Sequence, residues 1–110
     1  MIYCSEYGGI LFVEGPVAEA TILRSISVKV NVLSQGRSII SVKESLAAEA
    51  LRARANCVLN FEYGQKASWF LSGDKVAWYG RGDAATISSE IGQALRQNPG
   101  YQFPNRNSDN

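Results

Sequence analysis

A chain of 110 residues is long enough to bury one hydrophobic core and too short for two ordinary ones. Eleven Lys and Arg against ten Asp and Glu leave a net charge of +1, which gives no long-range field to draw in nucleic acid or an acidic membrane. Histidine is absent, which excludes Ser/His/Asp and Cys/His nucleophilic arrangements, HExxH zinc sites and imidazole proton transfer.

The longest apolar runs, such as Ile10 to Val13, fall far below the roughly 18 residues needed to span a bilayer. No basic segment leads into an apolar stretch at the N-terminus, so no signal peptide is expected. That predicts a cytoplasmic protein with Cys4 and Cys57 as free thiols.

Residues 8 to 34, "GGILFVEGPVAEATILRSISVKVNVLS", are rich in Ile and Val and read as strand, interrupted at Gly15-Pro16. From Ile26 to Val32 apolar and polar residues alternate without a fault, as a strand with one wet face requires. "SQGRS", 34 to 38, is a predicted turn. Ser41 and Glu44 then form a capping-box pattern, and the spacing predicts a helix from Ser41 to about Ala55. Val42, Leu46, Ala50 and Ala53 make its packing stripe, with Lys43, Glu49, Arg52 and Arg54 largely elsewhere.

"NCVLNFEYG" alternates again, which predicts Cys57, Leu59, Phe61 and Tyr63 on one face and Val58, Asn60 and Glu62 on the other. A strand continuation and turn is expected over Gln65 to Gly73, with "SGDK" as the turn signal. A further strand covers Lys75 to Tyr79, and "GRGDAATI" either bulges and continues it or ends it. Ile87, Ile91 and Leu95 are spaced for a short helix. These elements form one domain over residues 1–97, followed by a polar, flexible tail over 98–110.

Candidate chemistry is sparse. "GRGDAA", 80 to 85, fits GxGxxG/A, but the chain lacks the second strand and ribose-binding acid of a dinucleotide fold, and Asp83 would put a negative charge in the phosphate loop. A turn or bulge explains it better. Arg81-Gly82-Asp83 matches an extracellular adhesion tripeptide by coincidence, given the lack of an export signal. Tyr63, Trp69, Phe70, Trp78 and Tyr79 lie among basic residues, a pattern that can stack on single-stranded nucleic acid. The neutral overall charge favours core or subunit interface instead. Trp78 and Tyr79 must face opposite ways in a regular strand, so Trp69, Trp78 and Tyr79 are the candidate interface residues. Glu44 is explained by capping, Glu49 by an ion pair with Arg52, and Glu62 as the polar side of a strand. No catalytic residue is assigned. Cys57, with no histidine or nearby second cysteine, reads as a small buried hydrophobe.

"GRS" at 36 to 38, "SLAAEALRARA" leading into "NCVLNFEYG", and "WYGRGDAATI" occur in an order that resembles the YbjQ-like family, formerly a domain of unknown function and sometimes called heavy-metal-binding. The resemblance covers residues 18 to 87. It implies an α+β fold, a small curved antiparallel sheet with one main helix packed across it, to which the chain's own pattern adds a short C-terminal helix. It also implies association into rings, among them pentamers, and a small buried group at position 57, commonly alanine in similar proteins. The combined expectation is a non-catalytic homo-oligomer that acts as a binding or scaffold domain without a cofactor. The alternative is a small-ligand or metal-binding protein with a site at subunit junctions, lined by Cys57, Arg37 and Tyr63.

Overall fold

Gly8 and Gly9, both with positive φ (59° and 83°), join Cys4–Tyr7 (β1) to Ile10–Val13 (β2) in a two-residue hairpin. Positive φ at both central residues gives the twist that such a turn needs. In the computed structural model, which describes residues 3–32, 38–66, 76–97 and 101–102, the chain continues through Thr21–Val32 (β3), Ser38–Arg52 (α1), Cys57–Lys66 (β4), Val76–Thr86 (β5), Ser89–Arg96 (α2) and Tyr101–Gln102 (β6). Among these residues the strands make one sheet in the order β3-β5-β4-β2-β1-β6.

The α+β class, the main helix across the sheet and the short C-terminal helix are all present. The sheet, expected to be antiparallel, is mixed: β2 pairs parallel with β4, and β1 parallel with β6. β2 reaches β4 only through β3 and α1, and a crossover of that length lets two strands enter a sheet in the same direction. β6 also places Tyr101 and Gln102, expected within a flexible tail, in register with Cys4 and Ser5. Among the described residues no helix is long and apolar enough to cross a membrane.

α1 begins at Ser38, a turn earlier than the capping pattern implied, so Ser41 lies inside the helix. Ile39 packs on the core and extends the helix backwards, a tertiary contact overriding the local cap signal. The helix stops three residues before the expected Ala55. Arg54 takes a left-handed φ of 64°, Ala55 N–H donates to Ala50 C=O at 2.9 Å, and Arg54 N–H donates to Leu51 C=O at 3.0 Å. This is a Schellman ending with arginine where glycine is usual. Val42, Leu46 and Ala50 are fully buried as the stripe predicted, and Ala53 packs beside them.

β5 runs unbroken through the GRGD sequence. Gly80 and Gly82 both lie beneath close neighbours: a Cβ on Gly80 would come within 2.2 Å of Val42 Cγ1, and one on Gly82 within 2.4 Å of Val58 Cγ1. The two glycines of the apparent phosphate loop therefore let α1 and β4 approach the strand.

The alternation expected along β4 breaks at a bulge. Leu59 pairs with Asp83 and Glu62 with Arg81, so Asn60 and Phe61 stand opposite Gly82 alone. Asn60 adopts φ 53°, a conformation asparagine tolerates. The extra residue shifts the phase of the strand. Cys57 and Leu59 face one side, while Val58 and Phe61 face α1.

Two cores result. Under α1, Ile10, Phe12, Ile26, Val42, Leu46, Val58 and Phe61 pack together. On the opposite face Cys4, Leu11, Val13, Cys57, Leu59 and Ala85 form a second cluster, sealed by Val17, Ala20, Ile87 and Leu95. Ser88 caps α2, its Oγ accepting from Ile91 N–H at 3.2 Å, and Arg96 clamps Glu6 of β1 through two hydrogen bonds of 3.1 and 3.0 Å. Asn56 bonds Ile87 N–H and C=O with its own amide, both at 2.9 Å, and so ties the start of β4 to the end of β5.

Candidate functional site

Beyond the second cluster, the sheet face opposite α1 is polar. It carries Ser25 and Ser27 from β3, Arg81 and Asp83 from β5, and Asn60 and Glu62 from β4, which line an open groove of about 460 Å³. The bulge makes this surface. Were Asn60 paired as an ordinary strand residue Phe61 would point here; with the bulge, Glu62 does.

Within the groove Asp83 is held from both sides. Ser25 Oγ donates to its Oδ1 and Asn60 Nδ2 to its Oδ2, each at 3.1 Å. Asn60 is fixed in turn by its backbone N–H donating to Gly15 C=O at 3.0 Å. Arg81 Nε and Nη2 both donate to Glu62 Oε1, at 3.0 and 2.7 Å. That hydrogen bond, then the charge of Glu62, keeps the guanidinium pKa above its ordinary value. The groove thus offers alternating donors and acceptors on three adjacent strands, with its carboxylates already engaged. This chemistry suits recognition.

The residues singled out from sequence are dispersed. Arg37 and Trp69 lie outside the described residues. Tyr63 is 45% exposed and stacks on Phe61, with centroids 5.5 Å apart and planes 23° apart. Cys57 is fully buried in the second cluster, and burial pushes its thiol up to about 11. Cys57 and Tyr63 therefore do not share a face, because the bulge between them reverses the alternation. Among the described residues no three of His, Cys, Asp and Glu gather as metal ligands would.

Trp78 and Tyr79 do face opposite ways. Trp78 packs against the core under α1, and its buried indole Nε1 has no hydrogen-bond partner among the described residues. Tyr79 lies across Gly64, within 2.9 Å of where a Cβ would stand, on the same face as Arg81. Sequence reasoning missed the Ser25–Asp83–Asn60 network. Its only signal was an asparagine interrupting an apolar run, which marks a residue able to enter the left-handed region.

No protein-family model matches the chain, and no curated protein matches it. Among solved structures, the chain is similar to a protein of unknown function of the DUF74 family from Pediococcus pentosaceus ATCC 25745. The TM-score is 0.55 and the identity 16%, covering 72% of this chain and 96% of that one. At this identity the likeness establishes a shared fold.

Proposed function

We propose that the protein is a non-catalytic binding domain that assembles with copies of itself through the β3 edge, in the cytoplasm, as a distant relative of the YbjQ-like proteins. One observation carries the assembly. β3 is twelve residues long, and among the described residues it pairs only with β5, so one side of its backbone is open along the strand. Long open edges recruit further strands unless they are blunted. Exposed Arg24 and Lys29 and the irregularity between Ile22 and Arg24 blunt this edge only in part, and it presents Ile22 and Leu23, 55% and 42% exposed.

The groove adjoins this edge, since Ser25 and Ser27 form its outer wall. A strand from a second copy laid along β3 would cover Ile22 and Leu23 and extend that wall, giving a recognition surface shared between subunits. The two buried free thiols are in keeping with a reducing compartment. The fold shared with the DUF74 protein supports the YbjQ-like resemblance.

Light scattering on the size-excluded protein at micromolar concentration tests the assembly. The expected result is a discrete oligomer for the wild type and a folded monomer for Ile22→Glu/Leu23→Glu, judged by an unchanged circular dichroism spectrum. A strictly monomeric wild type would overturn it.

A further inference from the structure

Aspartate is disfavoured inside a strand, yet Asp83 stands within β5 with its half-buried carboxylate facing the groove. Ser25 and Asn60 fix that carboxylate in one orientation, each donating at 3.1 Å, and Asn60 does so from a left-handed φ of 53°. Side chains from both neighbouring strands are thus committed to aiming a single group. Such pre-set polar groups are what a binding site needs.

The bonding capacity left over in the groove selects the ligand. Glu62 accepts both Arg81 bonds on Oε1, so among the described residues its Oε2 has no partner. Arg81 keeps three of its five N–H donors, Asp83 has further lone pairs on both oxygens, and Asn60 keeps Oδ1 and one N–H. An ion gains little here. Arg81 and Lys29 balance the two carboxylates, and each carboxylate is already engaged. A hydroxyl group, which donates and accepts at once, satisfies both kinds of vacancy.

An aromatic platform adjoins the groove. Tyr79, Arg81 and Asp83 point the same way along β5, with Tyr79 and Asp83 roughly 13 Å apart along the strand. Gly64 of β4 is paired with Tyr79, and Tyr79 Cε1, Oη and Cζ lie 2.9, 3.0 and 3.1 Å from where a Gly64 Cβ would stand. The glycine lets the ring lie down on the sheet, half-buried, beside the polar groups. A pyranose has the matching form: an apolar C–H face for the ring and a rim of hydroxyls for the groove.

We propose, building on the reading of the protein as a binding domain, that this face takes a neutral oligosaccharide. One sugar ring stacks on Tyr79, and the hydroxyls of the next bond to Arg81, Glu62, Asp83 and Asn60.

Nuclear magnetic resonance titration of the isotope-labelled full chain tests this, with maltose, cellobiose, lactose and diacetylchitobiose as probes and oligothymidylate as the anionic, stacking competitor. At least one disaccharide should shift the amides of Ser25, Ser27, Tyr79, Arg81 and Asp83 saturably at millimolar concentration. For that sugar Tyr79→Ala and Asp83→Asn should each raise Kd about tenfold with an unchanged circular dichroism spectrum, and Tyr79→Phe should stay within about twofold. Asp83→Asn keeps the shape of its side chain and decides the matter if Tyr79→Ala does not fold. No shift with any of the four sugars overturns the proposal, as does an unchanged Kd in Asp83→Asn, or saturation of these amides by oligothymidylate alone. Sugar binding by a wild type that is monomeric supports the site and refutes only the assembly; an oligomer that binds no sugar does the reverse. A sugar cleaved during the titration supports the site and refutes only the non-catalytic reading.

Discussion

The contact of α1 with β5 can be tested through Gly80. A Cβ there would lie 2.2 Å from Val42 Cγ1 and 3.1 Å from Leu46 Cδ1, and both partners are fully buried. Val42 cannot turn aside, because a β-branched side chain in a helix has essentially one rotamer. Gly80→Ala therefore overpacks the site, at a cost of about 1–3 kcal/mol. Gly80 does not have a positive φ, so alanine also gains about 0.5–1 kcal/mol by restricting the unfolded chain. The net expectation is a loss of about 1–2 kcal/mol. Val42→Ala alone removes two buried carbons and leaves a void, for about 2–3 kcal/mol. Combined, the new methyl occupies the space vacated by Val42 Cγ1, so the double variant should be no less stable than Val42→Ala. The coupling should be about 2 kcal/mol in urea unfolding followed by fluorescence and circular dichroism at one fixed protein concentration. Additive losses would falsify the claim that this glycine exists to admit the helix.

Arg54→Gly should stabilise the fold by about 0.5–1 kcal/mol in the same assay, since glycine takes the left-handed cap without strain; a loss of stability would contradict the Schellman assignment. Asn60→Ala forfeits both left-handed tolerance and the bond to Asp83 and should cost about 1–2 kcal/mol, while Asn60→Gly keeps the backbone and should cost less. If both substitutions cost the same, the bulge geometry is not what Asn60 supplies. Cys57→Ala should fold and assemble normally. In the wild type the Cys57 thiol pKa is raised from 9.0 to about 11 on folding, so its contribution is complete below pH 9 and is lost as pH rises to 11. The loss amounts to about 2–3 kcal/mol, and it should be missing from Cys57→Ala when the two proteins are compared across that window.

Elements with a long, clean period were legible. The alternation through Ile26, Val28 and Val30 and the stripe of Val42, Leu46 and Ala50 depend only on which face meets the core, and both lie as expected. Element ends were not, because they are set by contacts distant in sequence. Ile39 packing on the sheet moved the start of α1, and an arginine in a glycine conformation moved its end. The second core was hidden for a similar reason. Ile10 to Val13 is apolar on both faces, and periodicity cannot say what covers the second one. β4 misled through a single residue, since a bulge preserves composition while reversing direction. The groove could not be read at all, because Ser25, Asn60 and Asp83 meet only after β3, β4 and β5 are paired. Helical spacing set Lys43 off the packing stripe but reports only where a Cα lies, whereas a lysine stem can carry its amine back over the neighbouring rings.

The bulge also divides β4 into two territories with different obligations. Upstream of Asn60 the strand is walled on both sides and accepts only small or apolar residues; downstream it keeps one dry side and one wet side. Losing the Asn60 codon would leave Phe61 alone opposite Gly82 and keep Phe61 and Tyr63 on the helix side and Glu62 on the groove side, removing only the Asn60 bonds to Asp83 and Gly15. What would exchange the water-facing and oil-facing sides across half a strand is an Asn60 kept but paired regularly, so its left-handed conformation is what decides which side of the downstream strand meets water.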